Sequence, residues 1–287
     1  MYLDPDRASG ALVTAAHGRP CWTVLIPFFN EQDYLAATIA SLADQTERFE
    51  LVLVDNGSTD ASPAVALAAV QAHGLPVRLI TERRPGKVSA LAAGLAAVGT
   101  RYVATCDADT IYPAGYLREA GRLLARAGCV AAGAFFVAPG ASAAACRVES
   151  VKIVAAGALL PRLCHAGGAG QCFDTAALRA AGGFDPMVWD FILEDHEVFH
   201  RLLARGTMLY SHALWCVPSP RDRDRPQTRW QPLERLFYVA AGLGAGDWFF
   251  YRFLAGRLAR RRLMSRELRE RGGETGSFAT AAPHPVC

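Results

Sequence analysis

Along this chain short apolar runs alternate with stretches whose apolar residues recur at helical spacing. Cys21-Trp22-Thr23-Val24-Leu25-Ile26 is an apolar run that Pro27 stops, the pattern of a buried strand. Behind it Asn30 suits a helix N-cap, and Tyr34, Leu35, Ile39 and Leu42 fall on one helical face. Phe49 to Val54 predicts a second strand and residues 55–60 a turn. Pro63 fits the first turn of an Ala-rich helix that stops at Gly74. Val77 to Thr81 reads as a third strand, and Pro85-Gly86-Lys87 opens a helix closed by Gly99. Tyr102-Val103-Ala104 begins a fourth strand, which runs into Asp107-Ala108-Asp109; a helix from about Ala114 to Ala127 follows. Ala127 to Cys146 carries no charge, but Gly133, Pro139 and Gly140 break it, so strand plus loop is expected there. Strand–helix repeats of this length imply a parallel sheet with right-handed crossovers.

Composition adds bounds. The 287 residues, 52% hydrophobic and 20% charged, are enough for one large domain or two small ones. Residues 1–20 read as a loose leader lacking the apolar core of a secretion signal. The eight cysteines show no C-x-x-C spacing, so reduced thiols and a cytoplasmic location are expected. The net charge of +3 hides an asymmetry: residues 221–271 carry 13 Arg against 6 acidic residues, +7, which leaves −4 for the rest.

The polar residues cluster where chemistry is expected. Asn30-Glu31, Asp55 to Asp60, Arg83 to Lys87 and Asp107/Asp109 all sit at predicted strand C-termini, where open α/β sheets bind ligands. Neither G-x-G-x-x-G nor G-x-x-x-x-G-K-[ST] is present. Two carboxylates one residue apart at such an edge suit a hard cation such as Mg²⁺ or Mn²⁺, completed by substrate phosphates. An ordinary polar strand-to-helix turn would look similar.

In order, Val24-Leu25-Ile26-Pro27-Phe28-Phe29-Asn30-Glu31, Leu53-Val54-Asp55-Asn56-Gly57-Ser58-Thr59-Asp60, Gly86-Lys87 and Asp107-Ala108-Asp109 resemble the motifs of family 2 glycosyltransferases with the A-type fold. The likeness continues through Gly167-Gly168-Ala169-Gly170, Gly182-Gly183-Phe184-Asp185 and Glu194-Asp195, so it spans roughly residues 21–210. It implies a single mixed, mostly parallel sheet flanked by helices, with a C-terminal helical extension. It also implies donor contacts from Pro27, Asn30, Glu31, Asp55, Lys87, Asp107 and Gly168, with a metal (Mg²⁺ or Mn²⁺) on Asp109 and Asp195 as general base. Trp189, Glu194, Arg229 and Trp230 are the candidates for acceptor or diphosphate contacts. The reaction implied is inverting transfer of a hexose from a UDP- or GDP-sugar to an acceptor such as a lipid or cell-envelope saccharide.

A rival chemistry lies in the same segment. His196-Glu197-Val198-Phe199-His200 is a literal H-E-x-x-H, which on a helix sets two His for zinc with Glu197 as base. The longer metzincin form would need Gly and His where Leu203 and Gly206 stand. A catalytically inactive protein of the same fold at a membrane surface is the non-enzyme alternative.

Beyond Pro220, Arg229-Trp230 resembles the end of the Q-x-x-R-W motif of processive relatives, but Gln227 is one residue too close. From Leu233 to Leu268 aromatics accompany Arg257, Arg260, Arg261 and Arg262. These suit either helices lying on an anionic membrane, at its cytoplasmic face, or a helical pair packed on the domain. Nucleic acid is not expected as a partner, because the aromatics are clustered rather than interleaved with the charges. The expected organisation is a leader (1–20), a nucleotide-sugar domain (21–220), the basic extension (221–271) and a disordered tail (272–287).

Overall fold

The computed structural model describes residues 20–219, 230–242 and 244–267. Eight strands form one sheet in the order β3-β2-β1-β4-β7-β6-β8-β5. The parallel block is β3 (Val77–Thr81), β2 (Phe49–Asp55), β1 (Trp22–Phe28) and β4 (Tyr102–Thr105). Next to β4 lie β7 (Gln171–Asp174) and then β6 (Cys129–Phe136), each antiparallel to its predecessor. β8 (Thr207–Pro218) is parallel to β6, and β5 (Thr110–Ile111) pairs antiparallel with the end of β8. The sheet is therefore mixed, as the family resemblance implied, rather than wholly parallel.

Strand alternation sorts the core into two layers. Val24, Ile26, Leu51 and Leu53 pack on one face, with Leu35, Ile39 and Leu42 of α1 (Leu35–Ala43) and Ala66 and Val70 of α2 (Ser62–His73). Tyr116 and Leu117 of α4 (Tyr116–Leu124) join the same layer. Leu25, Val52 and Val54 pack on the other face, with Leu91 and Leu95 of α3 (Lys87–Ala97). There they meet Leu178 of α6 (Thr175–Ala180) and Phe199 and Leu202 of α7 (Glu194–Leu202).

Two sequence expectations shift. Pro27 does not stop β1, which continues to Phe28. Pairing with β4 ends at Leu25–Thr105, so the missing N–H of Pro27 faces a side with no partner strand, and the ring is tolerated. Asn30 is not an N-cap: α1 begins at Leu35 behind Tyr34, and Asn30 sits in the left-handed region at φ 54°.

The C-terminal extension is packed on the domain. Helix α5 (Ala143–Leu159) lies against β6 and β8. Helix α8 (Pro232–Ala241) leads to α9 (Gly246–Trp248), a π-helical stretch (Phe249–Leu254) and α10 (Ala255–Arg260). Phe249, Phe250, Leu254 and Leu258 form a separate core with Trp189. Buried Glu234 accepts hydrogen bonds from Arg257 and Arg261, so part of the basic run is neutralised inside the extension. Cys21, Cys106, Cys129, Cys164, Cys172 and Cys216 are free thiols. The expected tail lies outside the described residues, as does nearly all of the leader.

Candidate active site

The loops at the C-terminal edge of the parallel block are tied to one another by side chains from the motifs. Asn30 Oδ1 accepts from the Thr59 N–H (2.8 Å), while its own N–H donates to Ser58 Oγ (3.2 Å). Glu31 N–H donates to Ser62 Oγ (2.6 Å). Asp55, at the end of β2, accepts from the Ser58 N–H through Oδ1 (2.8 Å). Buried Asn56 donates to the carbonyls of Glu82 (3.0 Å) and Arg84 (2.7 Å) and accepts from the Gly86 N–H (2.8 Å). It therefore fixes the loop that delivers Lys87. Gly86 has φ 118°, and a methyl there would lie 2.9 Å from Ser265 Oγ, so only glycine fits.

Lys87 opens α3 and reaches across the edge. Its Nζ lies 2.8 Å from Asp107 Oδ1 and 3.3 Å from Glu194 Oε1. Burial works against its charge, yet the Asp107, Glu194 and Asp195 carboxylates hold the ammonium above the usual lysine range. Asp107 is aligned by its backbone: its N–H donates to Tyr112 Oη (2.9 Å), and that hydroxyl donates to the Ala169 carbonyl (2.8 Å). Tyr112, which the motif reading missed, so ties the Asp107 loop to the short 3₁₀ turn Gly168–Gly170. A methyl at Gly168 would stand 3.3 Å from Lys87 Nζ and 3.8 Å from Asp195 Oδ2, which places that backbone against both charged groups. Asp109 is buried, and its Oδ2 accepts from Ser219 Oγ (3.2 Å) beyond β8.

The acidic pair is mostly buried at the start of α7, where the helix dipole favours anions. Leu193 precedes it at φ 65°, an uncommon conformation for a residue with a side chain and one that clusters at functional sites. Burial raises Glu194. Burial also opposes ionisation of Asp195, but His196, and after it Lys87, outweigh that and bring the carboxyl below its ordinary range. Asp195 Oδ1 accepts from both the backbone N–H and the Nδ1 of His196, each at 2.9 Å. The environments of two adjacent carboxyls thus diverge, as in acid–base sites. Pro27, Lys87, Thr105, Asp107, Gly168, Gln171, Glu194 and Asp195 line one narrow cleft with Leu91, Cys106 and Phe184. It encloses about 10 Å³, so Lys87 occupies the space between the carboxylates.

The remaining candidates separate. Trp189 does not line this cleft: it is 2% exposed, its indole N–H donates to the Ile192 carbonyl (3.1 Å), and it packs on Phe250. Trp230 lies edge-on to His196, behind Asp195. Arg229 falls outside the described residues. The zinc arrangement fails on its base: Glu197 is buried, and both its oxygens are held by Arg201 (2.7 and 2.8 Å), with Tyr251 Oη donating to Oε1 (2.6 Å). His200 Nε2 is engaged by Asp247 Oδ1 (2.7 Å), away from His196 Nδ1. His196, a zinc-ligand candidate in the H-E-x-x-H reading, is instead the partner of Asp195. A histidine directly after the acidic pair was the available signal.

The Glycosyl transferase family 2 model matches residues 23–150. The dodecaprenyl-phosphate galacturonate synthase of Rhizobium johnstonii is 34% identical over 92 residues, 30% of this chain and 27% of that protein. The undecaprenyl-phosphate 4-deoxy-4-formamido-L-arabinose transferase of Sodalis glossinidius is 38% identical over 96 residues, 32% and 29%. The chain thus matches less than a third of the length of these relatives. A mannosyltransferase from Pyrobaculum calidifontis, solved with GDP-Man and Mn²⁺, superposes with a TM-score of 0.61 at 21% identity, covering 91% of this chain and 77% of that one. S. aureus TarS in complex with UDP-GlcNAc gives 0.54 at 16% identity, covering 79% and 66%. Residues 23–150 of this chain are thus similar to the Glycosyl transferase family 2 model, and the architecture is that of the A-type glycosyltransferase fold.

Proposed function

We propose that the protein is an inverting glycosyltransferase that moves a hexose from a nucleoside-diphosphate donor to an acceptor held beside Asp195. One observation carries this reading: Lys87, Asp107, Gly168, Glu194 and Asp195, from four separate stretches of chain, converge in one cleft at the sheet's C-terminal edge. In this reading Asp55 would accept a base N–H, with Pro27, Asn30 and Glu31 at the same sheet edge. Similar structures hold GDP-Man in one case and UDP-GlcNAc in another, so either nucleotide is a candidate. For the donor to enter, Lys87 must release Asp107 or Glu194, and it can then meet the diphosphate beside the N-terminus of α3.

A divalent cation fits the donor set. Asp109 is a buried carboxylate two residues beyond the cleft-lining Asp107, Lys87 already stands as a cation on Asp107, and hard oxygen ligands suit Mg²⁺ or Mn²⁺. Asp109 would hold the ion, which when bound neutralises the departing diphosphate. Asp195 is the base in this reading: its side chain stands beside the Gly168 backbone, where the donor sugar would lie. One base and no protein nucleophile imply inversion at the anomeric carbon.

The protein also presents a surface suited to a peripheral position on an anionic membrane. Ala144, Val148, Val151, Ala155 and Leu159 recur every three or four residues along the exposed side of α5. Leu233, Leu236 and Val239 do the same on α8, and Arg147, Lys152, Arg162 and Arg235 accompany them. No helix among the described residues is long and apolar enough to cross a membrane.

A thermal-shift panel of UDP- and GDP-sugars with Mn²⁺ or Mg²⁺ tests the donor reading, because a ligand that binds only the folded state raises its stability by mass action. At least one donor is expected to stabilise the protein in a metal-dependent way, and Asp109→Ala to abolish that dependence. No shift with any donor would sink the proposal. Sedimentation with anionic against neutral vesicles tests the membrane surface: binding is expected only to the anionic ones, and weaker with Val151→Glu.

A further inference from the structure

We infer that Ser265, in the C-terminal extension, is a positioning residue for the donor. Its hydroxyl stands in for the N-cap side chain that α3 lacks, and so holds the turn that carries Lys87. The inference rests on Lys87 meeting the donor's diphosphate, as proposed above, and concerns how that lysine is held in place.

The local chain leaves the start of α3 uncapped. Its N-cap residue is Gly86, which has no side chain to accept from the first-turn N–H groups. The φ of 118° there disfavours the usual capping residues. Asn56 fixes the loop before the helix, through the Arg84 carbonyl and the Gly86 N–H, and stops at that residue. The oxygen that approaches the first turn itself comes from 177 positions further along the chain: the Val88 N–H points to Ser265 Oγ at 3.5 Å. That distance is long for a hydrogen bond, but close packing holds the two groups together. A Cβ on Gly86 would lie 2.9 Å from the same Oγ and 3.1 Å from the Arg266 backbone nitrogen.

The segment that bears Ser265 is held from its other side as well. Leu263 is buried in the core of the extension, and its carbonyl accepts from the Ile192 N–H (3.1 Å). Met264 forms an antiparallel bridge with Phe191, and the Ser265 N–H donates to the Asp190 carbonyl (2.9 Å). Residues 190–192 lead directly into α7. Three consecutive residues, Leu263 to Ser265, therefore touch both walls of the cleft. Their backbone meets the approach to α7, and one hydroxyl meets the start of α3. This brace sets the separation across which Lys87 reaches. A helix whose first turn is held presents its N–H groups and its lysine to a diphosphate in one arrangement, so binding has less to order. Without the hydroxyl the turn frays, and each bound diphosphate must order it again.

The test uses the full chain, with UDP and GDP as probes, each with Mn²⁺. Calorimetry reads affinity, and hydrogen exchange followed by NMR reads the Val88 amide. Ser265→Ala is expected to weaken binding of the better nucleotide by roughly three- to tenfold, the range set by a lost cap. Exchange at Val88 should quicken in the same variant, because the first turn opens more often. Arg257→Gln is the control: it removes a partner of buried Glu234 inside the extension and leaves the contacts with α3 in place. Its nucleotide affinity and its Val88 exchange should match those of the unaltered protein. A merely structural role for Ser265 would make the two variants alike. Unchanged affinity in Ser265→Ala, unchanged exchange at Val88, or equal effects in Arg257→Gln would each overturn the inference. If the unaltered protein binds neither nucleotide, the function proposed above falls instead, and Val88 exchange in the nucleotide-free protein still decides whether Ser265 holds the start of α3.

Discussion

The two sides of the cleft are built differently. On the strand-end side, each functional loop is fixed by hydrogen bonds to another loop of the same edge: Asn30 to Thr59, Asp55 to Ser58, Asn56 to Gly86. On the α7 side, the reactive face is held by residues from the extension: His196 against Trp230 and Tyr238, Glu197 on Tyr251, His200 on Asp247. The first side is rigid because its own motifs cross-link it. The second depends on a separate aromatic core docking correctly. The separation is not complete, since Ser265 of the extension also abuts Gly86 on the strand-end side, but in the proposed reading donor recognition leans on the extension less than catalysis does.

The largest expected effect is on the α7 side. Asp195→Asn should cut turnover by roughly two to four orders of magnitude and leave donor affinity nearly unchanged; equal losses in both would mean that the two sides are not separable. Next, Glu197→Gln breaks a buried ion pair and should destabilise the fold by about 3 kcal/mol, read by urea unfolding. Turnover per folded molecule should stay within a few-fold, whereas a zinc-hydrolase base would make this variant dead. On the strand-end side, Asn56→Ala removes three hydrogen bonds from the loop before Lys87. About 2 kcal/mol of stability should go with them, and calorimetry should show weaker donor binding with little change in the pH profile. The smallest effect belongs to His200→Ala. Its partner Asp247 is 86% exposed, so the pair should contribute less than about 1 kcal/mol.

Legibility followed the same division. The strands, the helices behind them and the residues at their C-termini could be read from the chain, because period and turn chemistry are local. Asp55, Lys87 and Asp107 do lie at the sheet's C-terminal edge, where the local pattern put the polar residues. The failures were contacts over long separations. Trp189 looked available for an acceptor but is core, because Phe250 and Tyr251, some sixty residues later, cover it. Asn30 looked like a helix cap because Asn often is one; its partner turned out to be Thr59. The basic aromatic segment could have lain on a membrane or packed on the domain. Glu234, paired with Arg257 and Arg261, and the buried Phe249 and Phe250 favour packing.

By itself, the sequence determined the alternation of strand and helix, the polar strand ends and the order of motifs, since each rests on neighbours a few residues apart. Tertiary structure alone decided that His196 engages Oδ1 of Asp195, that Lys87 bridges Asp107 and Glu194, and that Glu197 belongs to Arg201 and Tyr251 rather than to a metal. Those outcomes depend on distances between side chains brought together by chain closure, and no local pattern encodes them.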